Sequence, residues 1–240
     1  MIIDAHVTLH EKTKVTHLLE EMKFCNIGLS VLAPEPREYA FANDEGNMRL
    51  ATVCQENQSL KFWAVATPWS AQEGLGVLKR AIVCGAVGVA FDSSVQGFSL
   101  LGREIRFFLD FLGEFDLPLY FHTGTPVNAL PLQLATLAKS YPNLKFIMGR
   151  SGRTDFRTDA LPAMQISQNI FADTSHDYPN TGLLNMYKAM GSQRMIFTSD
   201  SPFETQEFGL KCVSNIPISK EEKDQILGLN FMSLLGEAEL

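Results

Sequence analysis

Four apolar segments of the chain end in side chains that can bind ligands or react. The segments are residues 2–8, 119–122, 146–150 and 196–200, and they end in His6 and Thr8, His122, Arg150 and Asp200. Imidazole and carboxylate groups ligate metals and transfer protons, whereas a guanidinium group is permanently charged and binds anions. Functional side chains at the ends of parallel strands meet at one mouth of a barrel, so we expect these groups to share one cavity.

The first of these segments carries its polar residues at every second position. Alternate residues of a strand face the same side, so we predict that Asp4, His6 and Thr8 lie on one face.

Two further polar residues follow apolar segments and are candidates for substrate contact. Asp92 ends the segment that begins near Ala86, and His176 follows the segment that begins at Ile170. Because an arginine at a strand end needs an anionic partner, we expect Asp200 or Asp92 to pair with Arg150.

Strand-like and helix-like segments alternate along the whole chain. The strand-like segments begin near Ile2, Ile27, Phe62, Ala86, Pro118, Leu144, Ile170 and Met195. Amphipathic helices such as 15–22 and 105–112 lie between them, which indicates parallel strands with helical crossovers. An open doubly wound sheet usually has a glycine-rich turn after its first strand, and residues 6–10 lack glycine. We predict an α/β fold, a single (β/α)8 TIM barrel over residues 1–240, with long loops at 33–43 and 92–101 on the active face.

Composition limits the partners that we expect. The net charge is -7 at pH 7, and the sequence contains no basic run that would follow a nucleic-acid backbone. Its four cysteines are widely spaced and predict reduced packing residues. No apolar run approaches the roughly 20 residues needed to span a bilayer. We expect a cytoplasmic protein that acts on a small molecule, without nucleic-acid or membrane partners, and a homo-oligomer is compatible with the sequence.

The motifs resemble those of the amidohydrolase superfamily, and within it the amidohydrolase 2 branch, which is related to aminocarboxymuconate-semialdehyde decarboxylases. The resemblance covers almost the whole chain, and the order and spacing of its motifs make it specific. The matching segments are residues 4–8 (DAHVT), 121–124 (FHTG), 148–152 (MGRSG), 198–203 (TSDSPF) and 226–231 (ILGLNF).

The resemblance implies one divalent metal, held by two histidines of the first strand, a histidine of the fifth and an aspartate of the eighth. It also implies a sixth-strand histidine that takes part in the chemistry. Thr8 stands at the second first-strand histidine position, and Arg150 stands at the sixth-strand histidine position. The candidate metal ligands that remain are His6, His122 and Asp200.

Two versions of the site follow from these departures. Three ligands and a water suffice for catalytic zinc, so zinc is the first metal to expect, with partial or absent occupancy. An Arg150 guanidinium about 5–6 Å from a divalent ion would repel it by roughly 6 kcal/mol at an effective dielectric near 20. In the metal-free version Arg150 pairs with Asp200 or Asp92 and polarises a carbonyl or grips a carboxylate.

The expected activity is hydrolysis of a small carbonyl compound, a carboxylic acid derivative or lactone, by an amidohydrolase-like enzyme. Asp200, His122 and Arg150 are the expected catalytic residues, and the expected substrate-binding residues are Arg150, Thr8, Asp92 and His176. One alternative is a catalytically inactive barrel that binds a small anion or a protein partner, because two of the family's site residues are replaced. A second alternative is decarboxylation of a small unsaturated acid.

Overall fold

Eight parallel strands form one sheet in which they follow the order of the sequence. The structure is a computed structural model, and it describes residues 1–124, 127–176 and 181–236, except the side chains at 153, 154 and 181. The strands are β1 (Ile2–Leu9), β2 (Ile27–Pro34), β3 (Leu60–Ala64), β4 (Gly88–Phe91), β5 (Pro118–His122), β6 (Lys145–Gly149), β7 (Ile170–Asp173) and β8 (Met195–Ile196). This confirms the predicted (β/α)8 barrel, and every predicted strand begins within about two residues of an observed one.

Helices surround the sheet, and the last of them fills one end of the barrel. They are α1 (Val15–Phe24), α2 (Pro36–Ala40), α3 (Asn43–Glu56), α4 (Ala71–Val83), α5 (Ser93–Gln96), α6 (Arg103–Leu112), α7 (Pro131–Ser140), α8 (Arg153–Phe156), α9 (Ala160–Ile166), α10 (Thr181–Met190), α11 (Gln206–Ser214), α12 (Lys220–Asp224) and α13 (Asn230–Leu235). A π-helical turn, Gln225–Leu229, joins the last two. The segments expected as long loops after β2 and β4 therefore contain short helices, α2 and α5. No helix in the described ranges is long and apolar enough to cross a membrane.

The first and last strands meet and close the barrel. The N–H of Ala5 donates to the carbonyl of Phe197 at 3.0 Å, and the N–H of Asp200 donates to the carbonyl of His6 at 3.2 Å. These backbone bonds set His6 beside Asp200, although the two residues lie at opposite ends of the sequence.

The alternation of β1 changes phase within the strand. Ile3 and Ala5 pack in the barrel interior, whereas Val7 packs with the surrounding helices. A strand with uninterrupted alternation would send all three to one side. The pairing with β2 shifts register between Asp4 and Val7, and one extra residue in a strand reverses the facing of those that follow. The prediction that Asp4 shares a face with His6 is therefore wrong.

Asp4 instead holds together the elements at the closure of the barrel. Its carboxylate accepts hydrogen bonds from the N–H of Ser199 at 2.9 Å, the hydroxyl of Ser199 at 2.6 Å and the amide of Gln206 at 2.9 Å. Burial raises the pKa of Asp4 to about 6, against the lowering effect of these hydrogen bonds. Asp4 is thus a structural residue of the β1–β8 junction.

The amino-terminal end of the barrel is filled by the last helix. Phe231, Leu234 and Leu235 of α13 belong to the same interior cluster as Trp63 and Tyr120. The rings of Phe231 and Trp63 lie 5.9 Å apart, edge to face. Any site must therefore lie at the opposite, carboxyl end, where barrel enzymes place their functional groups.

Candidate active site

A fully engaged carboxylate forms the centre of the site. Arg150 donates to Asp200 from Nε to Oδ2 at 2.9 Å and from Nη2 to Oδ1 at 3.4 Å. His176 Nε2 lies 2.6 Å from Oδ2, and His6 Nδ1 lies 3.2 Å from Oδ1 with poorer geometry. A carboxylate offers about four lone-pair positions. Nitrogen atoms of three side chains therefore surround the two oxygen atoms of Asp200.

These contacts keep Asp200 ionised. Burial alone would raise its pKa, but the hydrogen bond from His176, the contact with His6 and the charge of Arg150 hold the pKa well below its usual range. Burial would also lower the pKa of Arg150, and the negative charge of Asp200 raises it instead. The two groups form a buried ion pair whose partners stabilise each other's charged state.

The backbone is strained at Arg150, His176 and Asp200, and also at Ser151. The φ angle is 59° at Arg150, 58° at His176 and 56° at Asp200, and it is 39° at Ser151. This left-handed region costs a non-glycine residue of order 1–3 kcal/mol and persists where surrounding contacts enforce it. The strands end in abrupt turns that bend three functional side chains towards one point, which is typical of a functional site.

His176 lies between two carboxylates. Its Nδ1 is 3.3 Å from Oε1 of Glu204, on the opposite side of the ring from Asp200. The ring of Phe203 packs against the imidazole with centroids 4.8 Å apart. The contact of Nδ1 with Glu204 lacks hydrogen-bond geometry, so His176 is hydrogen-bonded to Asp200 and lies close to a second carboxylate.

Aromatic rings form the inner wall of the site. Tyr120 stacks on His6 at 4.4 Å, and His122 meets His6 edge to face at 4.8 Å. The hydroxyl of Tyr120 donates to Asp173 Oδ2. Burial and the charge of Asp173 raise the pKa of Tyr120 well above its usual range, so the hydroxyl stays protonated. This bond fixes the ring against which His6 is stacked.

His122 and Tyr39 present unpaired polar atoms beside that wall. Burial, and then the charge of Arg150, lower the pKa of His122 well below its usual range, so the ring is neutral. Within the described part of the chain, His122 Nδ1, His6 Nε2 and Tyr39 Oη are buried without a hydrogen-bond partner. Such atoms cost free energy unless a ligand or water satisfies them, which indicates a binding site.

The structure places His6, His122, Arg150 and Asp200 together, and His176, a predicted substrate contact, joins them. Asp92 lies apart as the N-cap of α5, with its Oδ1 accepting from Ser94 N at 3.0 Å and Val95 N at 3.1 Å. It reaches Arg150 only through its charge. Thr8 donates its N–H to Ser201, and its hydroxyl makes no hydrogen bond within the described ranges.

Sequence reasoning missed Tyr39, Tyr120 and Glu204. Tyr120 had a signal, because it lies two residues before His122 on β5 and must share its inward face. Glu204 follows the eighth-strand motif, but its approach to His176 depends on a turn that spacing does not reveal. Tyr39 had no signal, because α2 was expected to be a loop.

The arrangement does not suit a divalent metal. Within the described ranges, no group of three or more His, Cys, Asp or Glu side chains is placed to hold a metal ion. His6 and His122 do offer free nitrogen atoms. The third expected ligand, Asp200, is occupied by Arg150 and His176, and the positive charge of Arg150 lies where it would oppose a cation.

Fold and site together define a (β/α)8-barrel with a cluster of charged and imidazole side chains at the carboxyl ends of its strands. The chain belongs to the amidohydrolase family, whose model matches residues 10–236. The matched span begins after His6, so the first-strand residues of the site lie outside it.

The curated relatives of the chain are decarboxylases. Gamma-resorcylate decarboxylase of Polaromonas sp. strain JS666 is 28% identical over 125 residues, which are 44% of this chain and 38% of that protein. The protein of the same name from Rhodococcus jostii strain RHA1 is 26% identical over 133 residues, 48% of this chain and 40% of that protein. The chain thus spans about two fifths of the length of the curated relatives it matches.

Solved structures of decarboxylases share the fold. A 2,6-dihydroxybenzoate decarboxylase complexed with 2,6-dihydroxybenzoate has a TM-score of 0.77 and 16% identity, over 98% of each chain. A dihydroxybenzoic acid decarboxylase from Polaromonas sp. JS666, with bound manganese and the inhibitor 2-nitroresorcinol, has a TM-score of 0.76 and 17% identity, over 98% of this chain and 96% of that one.

These relatives correct the expected activity. The family and its members support an enzyme, but the expectation of a hydrolase acting on an acid derivative or lactone is wrong, because the similar proteins are decarboxylases. Manganese accompanies one of them, so a divalent metal occurs on this fold, whereas the expected zinc has no support.

Proposed function

We propose that the chain decarboxylates a small unsaturated carboxylic acid. The observation that carries this proposal is the Arg150–Asp200 ion pair at the mouth of the barrel, beside an aromatic wall. The Arg150 side chain is 22% exposed, so one edge of its guanidinium can receive a substrate carboxylate while Asp200 holds the other. The stacked rings of Tyr120 and His6 lie fully buried in the inner wall of the site, which makes that wall aromatic.

Loss of carbon dioxide breaks a carbon–carbon bond and leaves its electron pair on the remaining carbon. A conjugated acid spreads that charge, and a proton must replace the departing group. The proposed roles follow from the site: Arg150 orients the carboxylate, and neutral His122 accepts a hydrogen bond from a substrate hydroxyl. Ionised Asp200 holds Arg150 and His176 in place, and His176 delivers the proton that replaces the departing carboxylate. Thr8 and Asp92 stay proposed binding residues at the edge of the site.

A product assay tests the proposal. Purified protein is incubated with 2,6-dihydroxybenzoate, 5-carboxyvanillate and unsaturated aliphatic acids, with and without manganese or zinc, and carbon dioxide and the decarboxylated product are measured. We expect release from at least one acid, and a loss of about 100-fold or more in Asp200→Asn. Asp44→Asn is the matched control, because Asp44 pairs with Arg80 on the exposed surface.

A second candidate is a catalytically inactive barrel that binds a small anion. The specific observation in its favour is that Asp200 is ionised and fully engaged, which leaves it without a proton to give. In that case calorimetry would detect carboxylate binding that depends on Arg150, and no acid would release carbon dioxide under any metal condition. The cytoplasmic location, the single domain over 1–240 and homo-oligomerisation stay predictions.

A further inference from the structure

We propose that Arg150 supplies, from within the chain, the positive charge that a bound divalent ion supplies in the manganese-containing neighbour, so that this centre is a metal-independent anion site. The inference concerns the charge that organises the site. It holds whether the bound acid is decarboxylated or only bound.

The first support is the occupancy of the carboxylate. Arg150 and His176 together take both oxygens of Asp200 at 2.6–3.4 Å, and His6 faces one of them. A metal bonded to Oδ2 at about 2.1 Å would lie within about 5 Å of Arg150 Nε and would displace the bond from His176. The guanidinium and the ion would therefore compete for the same carboxylate.

The second support is that the turn carrying Arg150 is locked. Ser151 donates its hydroxyl to the carbonyl of Asp173 at 2.6 Å, and Gly152 donates its N–H to Thr123 Oγ1 at 2.9 Å. Thr123 in turn donates to the carbonyl of Gly149 at 2.8 Å. The left-handed backbone of Arg150 and Ser151 is enforced by these bonds, so the charged side chain is committed to Asp200.

The third support is the unpaired polar atoms beside that charge. Within the described part of the chain, His122 Nδ1 and Tyr39 Oη are buried without a hydrogen-bond partner. An imidazole nitrogen and a hydroxyl group beside a fixed cation can form hydrogen bonds with the oxygen atoms of an acid held by that cation. The site thus binds an anion with donors and acceptors of its own.

Four proteins distinguish two reasons for weak metal binding: repulsion of the metal by the charge of Arg150, and the absence of a metal-ligating histidine at Thr8. They are the wild type, Thr8→His, Arg150→His and the double variant, with Arg103→His on the exposed start of α6 as a matched control. Each is dialysed against manganese or zinc and then against buffer, its metal content is measured by elemental analysis, and its affinity is measured by calorimetric titration.

We expect less than stoichiometric metal in the wild type, in Thr8→His and in Arg103→His. Arg150→His should bind metal about 100-fold more tightly than the wild type, and the double variant should bind at least as tightly. One metal per wild-type chain that resists chelation would overturn the inference. Stoichiometric metal in Thr8→His alone would do so too, because the missing ligand would then be the cause.

A second measurement holds even if Arg150→His fails to fold. Binding of 2,6-dihydroxybenzoate to the wild type is titrated in a chelator and in manganese, and we expect affinities equal within about twofold. Arg150→Lys keeps the positive charge but loses the two parallel N–H donors of the guanidinium. It should bind the acid about tenfold more weakly, still without metal. Acid binding that requires manganese would contradict the inference. Carbon dioxide release is scored separately, so this result and the proposed function can fail independently.

Discussion

Tyr39 buries a hydroxyl group that has no hydrogen-bond partner in the described part of the chain. Its ring meets His122 edge to face at 6.0 Å, and Asn43 and Thr67 bond the carbonyl of Tyr39 and so fix α2. Burial and the charge of Asp92 raise the pKa of Tyr39 well above its usual range, so the group is a neutral donor. A rigid, unpaired donor at this position can donate a hydrogen bond to an oxygen atom of a bound substrate.

Removal of that hydroxyl should weaken binding of the acid without lowering the free energy of unfolding. We expect Tyr39→Phe to unfold with a free energy within about 1 kcal/mol of the wild type, or slightly higher, because an unsatisfied buried hydroxyl costs about 1–3 kcal/mol. Binding of 2,6-dihydroxybenzoate should weaken about tenfold, and binding of benzoate should change little. Urea unfolding and calorimetric titration measure the two quantities.

Tyr187→Phe is the control for this change. The hydroxyl of Tyr187 donates to Glu222 at 2.8 Å on the surface, so its loss should cost about 0.5–1 kcal/mol of stability and leave acid binding unchanged. Equal weakening for both acids in Tyr39→Phe would show that Tyr39 shapes the site without reading a hydroxyl.

At this scale the sequence predicted the charged partners and left their pairing open. A buried arginine at a strand end requires an anion, and both Asp92 and Asp200 were available. The choice depends on turn geometry: Asp92 caps α5, whereas the left-handed turn at Asp200 bends that carboxylate towards Arg150. Neither conformation is encoded in residue spacing.

The junction of β1 and β8 contains a carboxyl group whose ionisation opposes folding. Asp4 is buried, and its pKa is raised from 3.8 to about 6. A group whose pKa is higher in the folded state contributes stability that is full below its unfolded pKa and is lost as the pH rises through the folded pKa. The relevant window therefore runs from about pH 4 to about pH 6.

We expect the wild type to lose of order 3 kcal/mol through Asp4 between pH 4 and pH 7. In Asp4→Asn this part of the pH dependence should disappear, although the lost hydrogen bonds lower stability at every pH. Asp116→Asn is the control, because the Asp116 side chain is 80% exposed. Urea unfolding across this range measures the difference in slope. Parallel curves for Asp4→Asn and the wild type would show that Asp4 does not titrate in the window.

Secondary structure was predictable at the level of elements because each strand is a compact apolar run and each helix has an apolar stripe. The phase of β1 was not. One extra residue between Asp4 and Val7 reverses the facing of the strand. The polar residues Asp4, His6 and Thr8 keep their two-residue spacing across the bulge, so the sequence does not reveal it. The same shift places His6 inside the barrel and Asp4 outside it.

The two ends of the barrel differ in their residues: one end carries the candidate site, and the other is filled by apolar side chains that stabilise the fold. The site residues lie at the carboxyl ends of the strands, and the opposite end is filled by α13. The sequence indicated a last helix running towards Leu235 but did not indicate what it covers, because its apolar residues are equally compatible with packing on the outside of the barrel. The interior cluster that Phe231, Leu234 and Leu235 join, and the contact between Phe231 and Trp63, show that α13 fills the interior.

Truncation of this plug should destabilise the barrel without altering the site. Phe231 is 1% exposed, and we expect Phe231→Ala to lower the free energy of unfolding by about 3–5 kcal/mol, because it leaves a cavity against Trp63. Phe24→Ala is the matched control: Phe24 is 77% exposed at the end of α1, and its loss should change stability by less than about 0.5 kcal/mol. Both variants, when folded, should bind 2,6-dihydroxybenzoate as the wild type does, since neither residue contacts Arg150 or Asp200 within the described structure.

Urea unfolding measures the free energy of unfolding, and titration below the unfolding transition measures the binding of the acid. Equal stabilities for the two variants would mean that α13 lies outside the core, and weaker acid binding by folded Phe231→Ala would mean that the two ends of the barrel are coupled.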